Sequence, residues 1–160
     1  MKIKILGVLL FLAIISLGVT DKLSVPDNFD AKVVGIKDGD TYSVLYQGAE
    51  QTIRLAHIDC PEKKQAFGAA AKKFASDLCF GKFVTVKGNG KTDRNNRIIG
   101  EIYLGTKNVN KELVKNGLAW HYKKYSSDEE YARLELQARS AKVGLWSDAN
   151  PIAPWDWRKK

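Results

Sequence analysis

Four acidic or backbone-restricted positions in this chain have the right types and spacing to hold a metal ion and activate a water. Asp40 closes the turn Asp38-Gly-Asp40, and Asp59 follows the alternating run at 51–58. Hard divalent cations take oxygen ligands, and two carboxylates with a carbonyl and waters suit calcium. Cys60 precedes Pro61, which holds the Cys60 backbone extended and restricts the direction of its carbonyl. Glu62 comes three residues after Asp59, and a carboxylate held beside a metal can take a proton from an attacking water. Two arginines add an anion-binding element. Arg54 sits mid-run among apolar neighbours, where burial without a carboxylate or other anion is costly. Arg97 follows Thr92-Asp-Arg-Asn-Asn96. Guanidinium groups suit phosphoryl oxygens because they donate two parallel hydrogen bonds. Each residue also has a plainer reading. Asp-Gly is a common turn pair, and Glu62 could be a solvated loop or first-turn helix residue. Arg54 could pair with a structural carboxylate, and Arg97 could be an exposed edge charge.

The elements that must position these residues follow from periodicity. Residues 29–36, 41–46 and 51–58 are rich in β-branched and aromatic residues and read as three strands, joined by turns at 37–40 and 47–48. The Asp-Gly turn accepts positive φ cheaply. An Ala-rich stretch from Gln65 to Leu78, with Phe67, Ala70, Ala71, Phe74 and Leu78 at helical spacing, predicts a helix ended by Gly81. Residues 82–86 read as a fourth strand broken by Gly88-Asn-Gly90, and 97–103 as a fifth. A second helix is expected at 108–116, capped by Asn108 and stopped by Gly117. A third starts at Ser127, which forms a capping box with Glu130, and stops at Gly144, with Glu135 and Arg139 paired on its outer face. Five strands with a helix between the third and fourth is the order of an OB-type barrel. The expected class is therefore α+β, a five-stranded OB-fold β-barrel with three α-helices.

The chain has 160 residues and 44% hydrophobic residues, enough for one compact domain. Its net charge of +8 favours polyanionic partners. Residues 1–20 carry Lys2 and Lys4 ahead of an apolar run and read as a secretory signal peptide. The run is short for a membrane span, so membrane association is expected only if the leader is retained. The expected organisation is a signal peptide at 1–20, a lead-in at 21–28, the main domain at 29–147 and a packed tail at 148–160. The two cysteines, Cys60 and Cys79, are expected to form a disulfide if the chain is exported. The alternative is two separate thiols, with Cys79 buried near a helix end. Two cysteines and two histidines, scattered, make no zinc-ligand pattern.

In combination the motifs say more than they do singly. Asp38-Gly-Asp-Thr41, Ile53-Arg-Leu-x-x-Ile-Asp-x-Pro-Glu62 and Thr92-Asp-Arg-x-x-Arg97, in that order on this strand pattern, resemble the staphylococcal nuclease (thermonuclease) family. Asn108-Val-Asn-x-x-Leu-Val-x-x-Gly-Leu-Ala119 and Glu135-x-x-Ala-Arg-x-x-x-x-Gly-Leu-Trp146 extend the likeness to residues 29–147. The resemblance implies a secreted or periplasmic, monomeric, Ca²⁺-dependent endonuclease acting on DNA and RNA, single strands favoured, with 3′-phosphate products. It places Ca²⁺ on Asp40, Asp59 and the Cys60 carbonyl, makes Glu62 the general base, and makes Arg54 and Arg97 the phosphate clamps. It also implies supporting roles for Asp38, Thr41 and Asp93. One departure is Asn95-Asn96, where family members often have Tyr-Gly. Trp120, Tyr122 and Tyr125 are candidates to offer aromatic faces in place of that tyrosine, with core packing the plainer reading for Trp120. A non-catalytic OB-type module that binds nucleic acid without cutting it is the alternative on the same scaffold.

Overall fold

The computed structural model describes residues 26–160, so the leader expected at 1–20 and the first part of the lead-in lie outside the described residues. In β1 (Asn28–Ile36), Phe29, Ala31 and Val33 turn inward while Asp30 and Lys32 face solvent, the period of a half-buried strand. β2 (Thr41–Tyr46) and β3 (Ala49–Leu55) follow as an antiparallel meander. Their two-residue hairpin places both Gln47 and Gly48 at positive φ, the geometry that matches strand twist. β5 (Phe83–Thr92) pairs with β1, and β6 (Ile98–Leu104) with β5. A parallel pairing of β3 with β6 then closes the barrel in the order β3-β2-β1-β5-β6. The fold is the α+β, five-stranded OB-type barrel that the strand order predicts. Val33, Tyr42, Val44, Ile53, Val86 and Ile102 fill its interior.

Outside the barrel lie α1 (Gly68–Cys79), α2 (Val109–Lys115) and α3 (Glu129–Ser140), with a fourth short helix, α4 (Pro154–Trp157), in the tail. The two-residue strands β4 (Ile58–Asp59) and β8 (Trp120–His121) pair with each other, and β7 (Lys107–Asn108) extends the edge of β6. A second apolar cluster of Trp120, Ala138, Leu145, Trp146 and Ala153 anchors the tail. No helix among the described residues is long and apolar enough to cross a membrane.

Several local expectations change. The strand expected to break at Gly88-Asn-Gly90 instead continues to Thr92 with a register irregularity between Gly88 and Thr92. A bulge absorbs the extra residues without ending the ladder. The face that α1 buries most deeply is Gly68, Ala71, Ala75 and Cys79, and Ala70 is exposed. Small residues let the helix approach the barrel closely. The cap of α3 is Asp128, whose side chain accepts the Glu130 N–H, and not Ser127. That helix ends at Ser140, ahead of Gly144, because Lys142 takes positive φ. Asn108 does cap α2, accepting from Lys111 N–H at 3.1 Å.

The expected disulfide is not formed. Cys60 and Cys79 are free, buried thiols. A Cβ placed on Gly39 would meet both Cys60 Sγ and Ala71 Cβ at 2.8 Å, so Cys60 sits at the Ala71 end of the helix contact. Cys79 lies eight residues further along α1, a rise of about 12 Å from Ala71, so it belongs to a different turn of the helix from the one beside Cys60. Burial raises the pKa of both thiols, that of Cys79 to about 11, so both stay protonated at neutral pH.

Candidate active site

The β2–β3 register places Arg54 opposite Thr41, beside Asp40 at the start of β2. The Arg54 guanidinium is held from two sides. Its Nη1 donates to the carbonyls of Leu55 at 2.8 Å and Ile58 at 3.0 Å. Its Nη2 meets Asp59 Oδ1 at 2.8 Å and Asp40 Oδ2 at 3.2 Å. Asp59 is carried there by the β4–β8 pairing, opposite Trp120. Burial opposes the Arg54 charge, but Asp40 and Asp59 offset this and raise its pKa. The two carboxylates therefore converge on one nitrogen inside the protein, with Asp40 6% and Asp59 1% exposed.

The loop around Asp40 is fixed by its own polar groups. Asp38 Oδ1 accepts the Asp40 N–H at 3.1 Å, and Asp40 Oδ2 accepts the Cys60 N–H at 2.7 Å. Gly39 is needed here for space, not for positive φ as the Asp-Gly pair suggests, because its missing Cβ makes room for Cys60 and Ala71. Arg97 approaches from the other side. Its Nη1 lies 3.5 Å from Thr41 Oγ1, which is 3.3 Å from Asp40 Oδ1. Asp93 holds Arg97 at 2.7 Å through Nε and 2.6 Å through Nη2. Burial alone would raise the Asp93 pKa, but hydrogen bonds from the Arg97 side chain and from the Arg97 and Asn95 N–H groups bring it below the usual range. Asn96 adopts φ 56° in this turn, a conformation asparagine tolerates, so the bend survives without the family's glycine.

Glu62 sits at the rim, its side chain 39% exposed. Two neighbours that the sequence did not single out set its position. Gln65 accepts the Glu62 N–H at 3.0 Å and donates to the Ile152 carbonyl at 2.6 Å, tying this loop to the tail. Gly68 packs so closely that a Cβ there would fall 2.0 Å from the Glu62 carbonyl oxygen. A third residue the sequence reading missed enters from the C-terminus. Arg158 donates to Glu62 Oε1 at 2.7 Å and to Asp59 Oδ2 at 2.7 Å, with Asp59 Oδ1 3.3 Å away. These hydrogen bonds, first those to Asp59, raise its pKa despite partial burial. Asp40, Asp59, Glu62, Arg54 and Arg97 thus belong to one linked cluster, joined through Thr41 and Arg158.

Glu135 is also misplaced by the sequence reading. Expected on the outer face of α3, it is 3% exposed and accepts the His121 N–H at 3.1 Å, with Arg139 and Lys123 nearby at 3.4 and 3.5 Å. Trp120 packs in the tail cluster against Trp146 and Trp155. Tyr122 stacks on Trp155 with ring centroids 5.1 Å apart, while Tyr125 is 70% exposed.

The donor set suits a hard cation. No group of three or more His, Cys, Asp or Glu side chains that could hold a metal gathers among the described residues. A cation here would rest on two carboxylates, a carbonyl and water, an all-oxygen set. Asp40 carries the clearest sign of fit. Burial raises its pKa to about 7; Arg54 lowers it, while Asp38 and Asp59 add to the rise. Its negative charge is therefore under-compensated by Arg54, a condition that a bound cation relieves. The metal-free protein should show this directly. A raised carboxylate pKa contributes stability that is fully present below about pH 3.8 and lost as pH rises through about 7. Asp40→Asn does not titrate, so its stability relative to wild type should climb by up to a few kcal/mol across that window and then level off. Denaturant unfolding in chelator at a series of pH values reads this. A difference that stays flat with pH would contradict it.

Comparison with known proteins identifies the family. Residues 52–148 match the family described as "Staphylococcal nuclease homologue". A Haemophilus influenzae protein named "Uncharacterized endonuclease" is 45% identical over 130 residues, covering 81% of this chain and 72% of that protein. An Escherichia coli protein of the same name is 42% identical, covering 81% and 84%. A Shigella flexneri protein named "Micrococcal nuclease" is 38% identical over 143 residues, covering 82% of each chain. With an OB-type barrel and this match across most of its length, the chain belongs to the staphylococcal nuclease family and is a nuclease, a hydrolase of nucleic acid.

Proposed function

We propose that this nuclease is exported, requires calcium, and cuts internal phosphodiester bonds of both DNA and RNA, favouring single strands and leaving 3′-phosphate ends. The observation that carries the reading is the convergence of buried Asp40 and Asp59 on one Arg54 nitrogen, with Glu62 one guanidinium away. Asp40, Asp59 and the Cys60 carbonyl would hold the cation. When bound, calcium supplies positive charge that polarises a phosphoryl oxygen. Glu62 takes a proton from the attacking water. Arg54 and Arg97 donate to the non-bridging oxygens as charge builds on phosphorus. The bond to the 5′ oxygen breaks, and that oxygen leaves with a proton from solvent. Export is supported by the charged and apolar pattern of residues 1–20.

Strand binding has its own support. Lys63, Lys64, Lys91, Arg94, Lys123 and Lys124 are all exposed and can follow a phosphate backbone without reading bases. A cleft of about 390 Å³ beside the tail is lined by aromatic and cationic side chains, among them Tyr122, Lys124, Arg139 and Trp155. Aromatic faces accept any base, which suits substrates without sequence preference. The test is to incubate the purified protein with DNA and with RNA in calcium, then add chelator. Cutting of both that stops on chelation is expected. Undiminished cutting in chelator, or tight binding with the polymer intact, would overturn the reading.

The position of Glu62 gives a second test. Because Gly68 leaves no room for a Cβ against the Glu62 backbone, Gly68→Ala must displace that loop by about 1 Å, and misplacement of that size costs about 10²-fold in rate. Single-turnover cleavage by a variant shown to be folded measures this, and a rate within threefold of wild type would count against it.

A further inference from the structure

We infer that Arg158 is a tethered occupant of the cation site, which a divalent cation must displace from Asp59 before the site can be filled. This rests on the calcium reading above and deepens it. Both oxygens of Asp59 are engaged. Oδ1 accepts from Arg54, and Oδ2 accepts from Arg158 at 2.7 Å. The same guanidinium takes Glu62 Oε1 at 2.7 Å, so a single side chain closes the carboxylate proposed as metal ligand and the one proposed as base. With Arg158 in place, Asp59 has no oxygen facing away from a guanidinium, and Glu62 is hydrogen-bonded where it must receive a proton.

The tail is built to deliver this group and to let it go. Pro154 starts α4, a four-residue helix, with Ala153 buried behind it. Trp155 lies against Trp120 and stacks on Tyr122. The Ile152 carbonyl is tied to Gln65 on the Glu62 loop. The anchor is thus aromatic and firm, while Arg158 comes after the helix, with a 41% exposed side chain. Its hold on the site is electrostatic and partly open to solvent. In the metal-free protein it supplies the positive charge that the acidic cluster otherwise lacks. A dication at Asp40 and Asp59 would repel it.

If the latch is closed about nine-tenths of the time, the apparent calcium affinity falls about tenfold below that of the open site. Calcium titration by calorimetry on the purified full chain tests this, comparing wild type with Arg158→Gln and with Lys159→Gln. Lys159 carries the same charge one residue away but pairs with Asp156 at 2.7 Å and is the control. The expected result is about tenfold tighter calcium binding in Arg158→Gln, with Lys159→Gln within twofold of wild type. Trp155 and Trp157 fluorescence gives a second readout, expected to change on calcium addition in wild type and much less in Arg158→Gln. Equal or weaker calcium binding in Arg158→Gln would overturn the latch while leaving the calcium reading intact. Equal tightening in both variants would reduce it to general charge. No calcium binding in any of the three would remove the calcium reading, and the latch with it.

Discussion

Glu62→Gln is expected to lower the rate of phosphodiester hydrolysis by about 10²–10⁴-fold, the usual contribution of a positioned general base. Glutamine keeps the size of the side chain and removes only its capacity to accept a proton from water. Nothing in the fold depends on the charge. The side chain is 39% exposed, and its ion pair with Arg158 is also partly exposed. Such pairs contribute at most about 1 kcal/mol, so melting should change little. The Glu62 backbone is held independently, by Gln65 on its N–H and by the close approach of Gly68. Substrate binding should therefore persist while cutting is lost. Binding of a labelled single strand by the variant, alongside single-turnover cleavage in calcium, separates the two. Turnover within a few fold of wild type would take Glu62 out of the mechanism.

What the sequence could and could not reveal divides along the length scale of the interaction. The barrel was legible because strand alternation and turn residues are local, and because the strand–helix order permits few closures. Asp40, Asp59 and Arg54 were legible as candidates because a carboxylate at a turn and a cation inside an apolar run are each unusual in place. The residues that hold Glu62 were not legible. Gln65 looks like an ordinary loop amide until the tail supplies the Ile152 carbonyl. Gly68 looks like a helix-start residue until its distance to Glu62 is known. Glu135 read as an outer-face residue because helical spacing to Arg139 says nothing about which side the β8 backbone approaches. The disulfide failed for the same reason, since a count of cysteines carries no information on which turn of α1 faces Cys60. The tail was expected to pack because Pro151-Ile-Ala-Pro-Trp-Asp-Trp157 is apolar, but the destination of Arg158 is set by the path of that packing.

The two arginines should fail in different ways, although both are proposed to face the phosphate. Arg54→Ala is expected to lose both activity and stability. Its guanidinium bridges two buried carboxylates, and removing one partner from such a cluster costs about 3–5 kcal/mol. Arg97→Ala is expected to lose activity with little change in stability. Its side chain is 28% exposed, its ion pair is with Asp93 on an outer turn, and its reach toward the centre ends at Thr41. That turn also has support of its own, since the Asp93 carbonyl accepts the Asn96 N–H and Asp93 Oδ1 accepts the N–H of both Asn95 and Arg97. Loss of a donor aimed at developing charge costs about 10²–10³-fold in rate, so both variants should cut at least that much more slowly. Unfolding in chelator then distinguishes them, and calcium should rescue stability more in Arg54→Ala than in wild type, because the cation replaces the missing counter-charge. If Arg97→Ala unfolds as readily as Arg54→Ala, the inner and outer placement of the two groups does not govern their roles. If Arg54→Ala cuts at the normal rate, its guanidinium serves the carboxylates alone, and the phosphate is held by other groups.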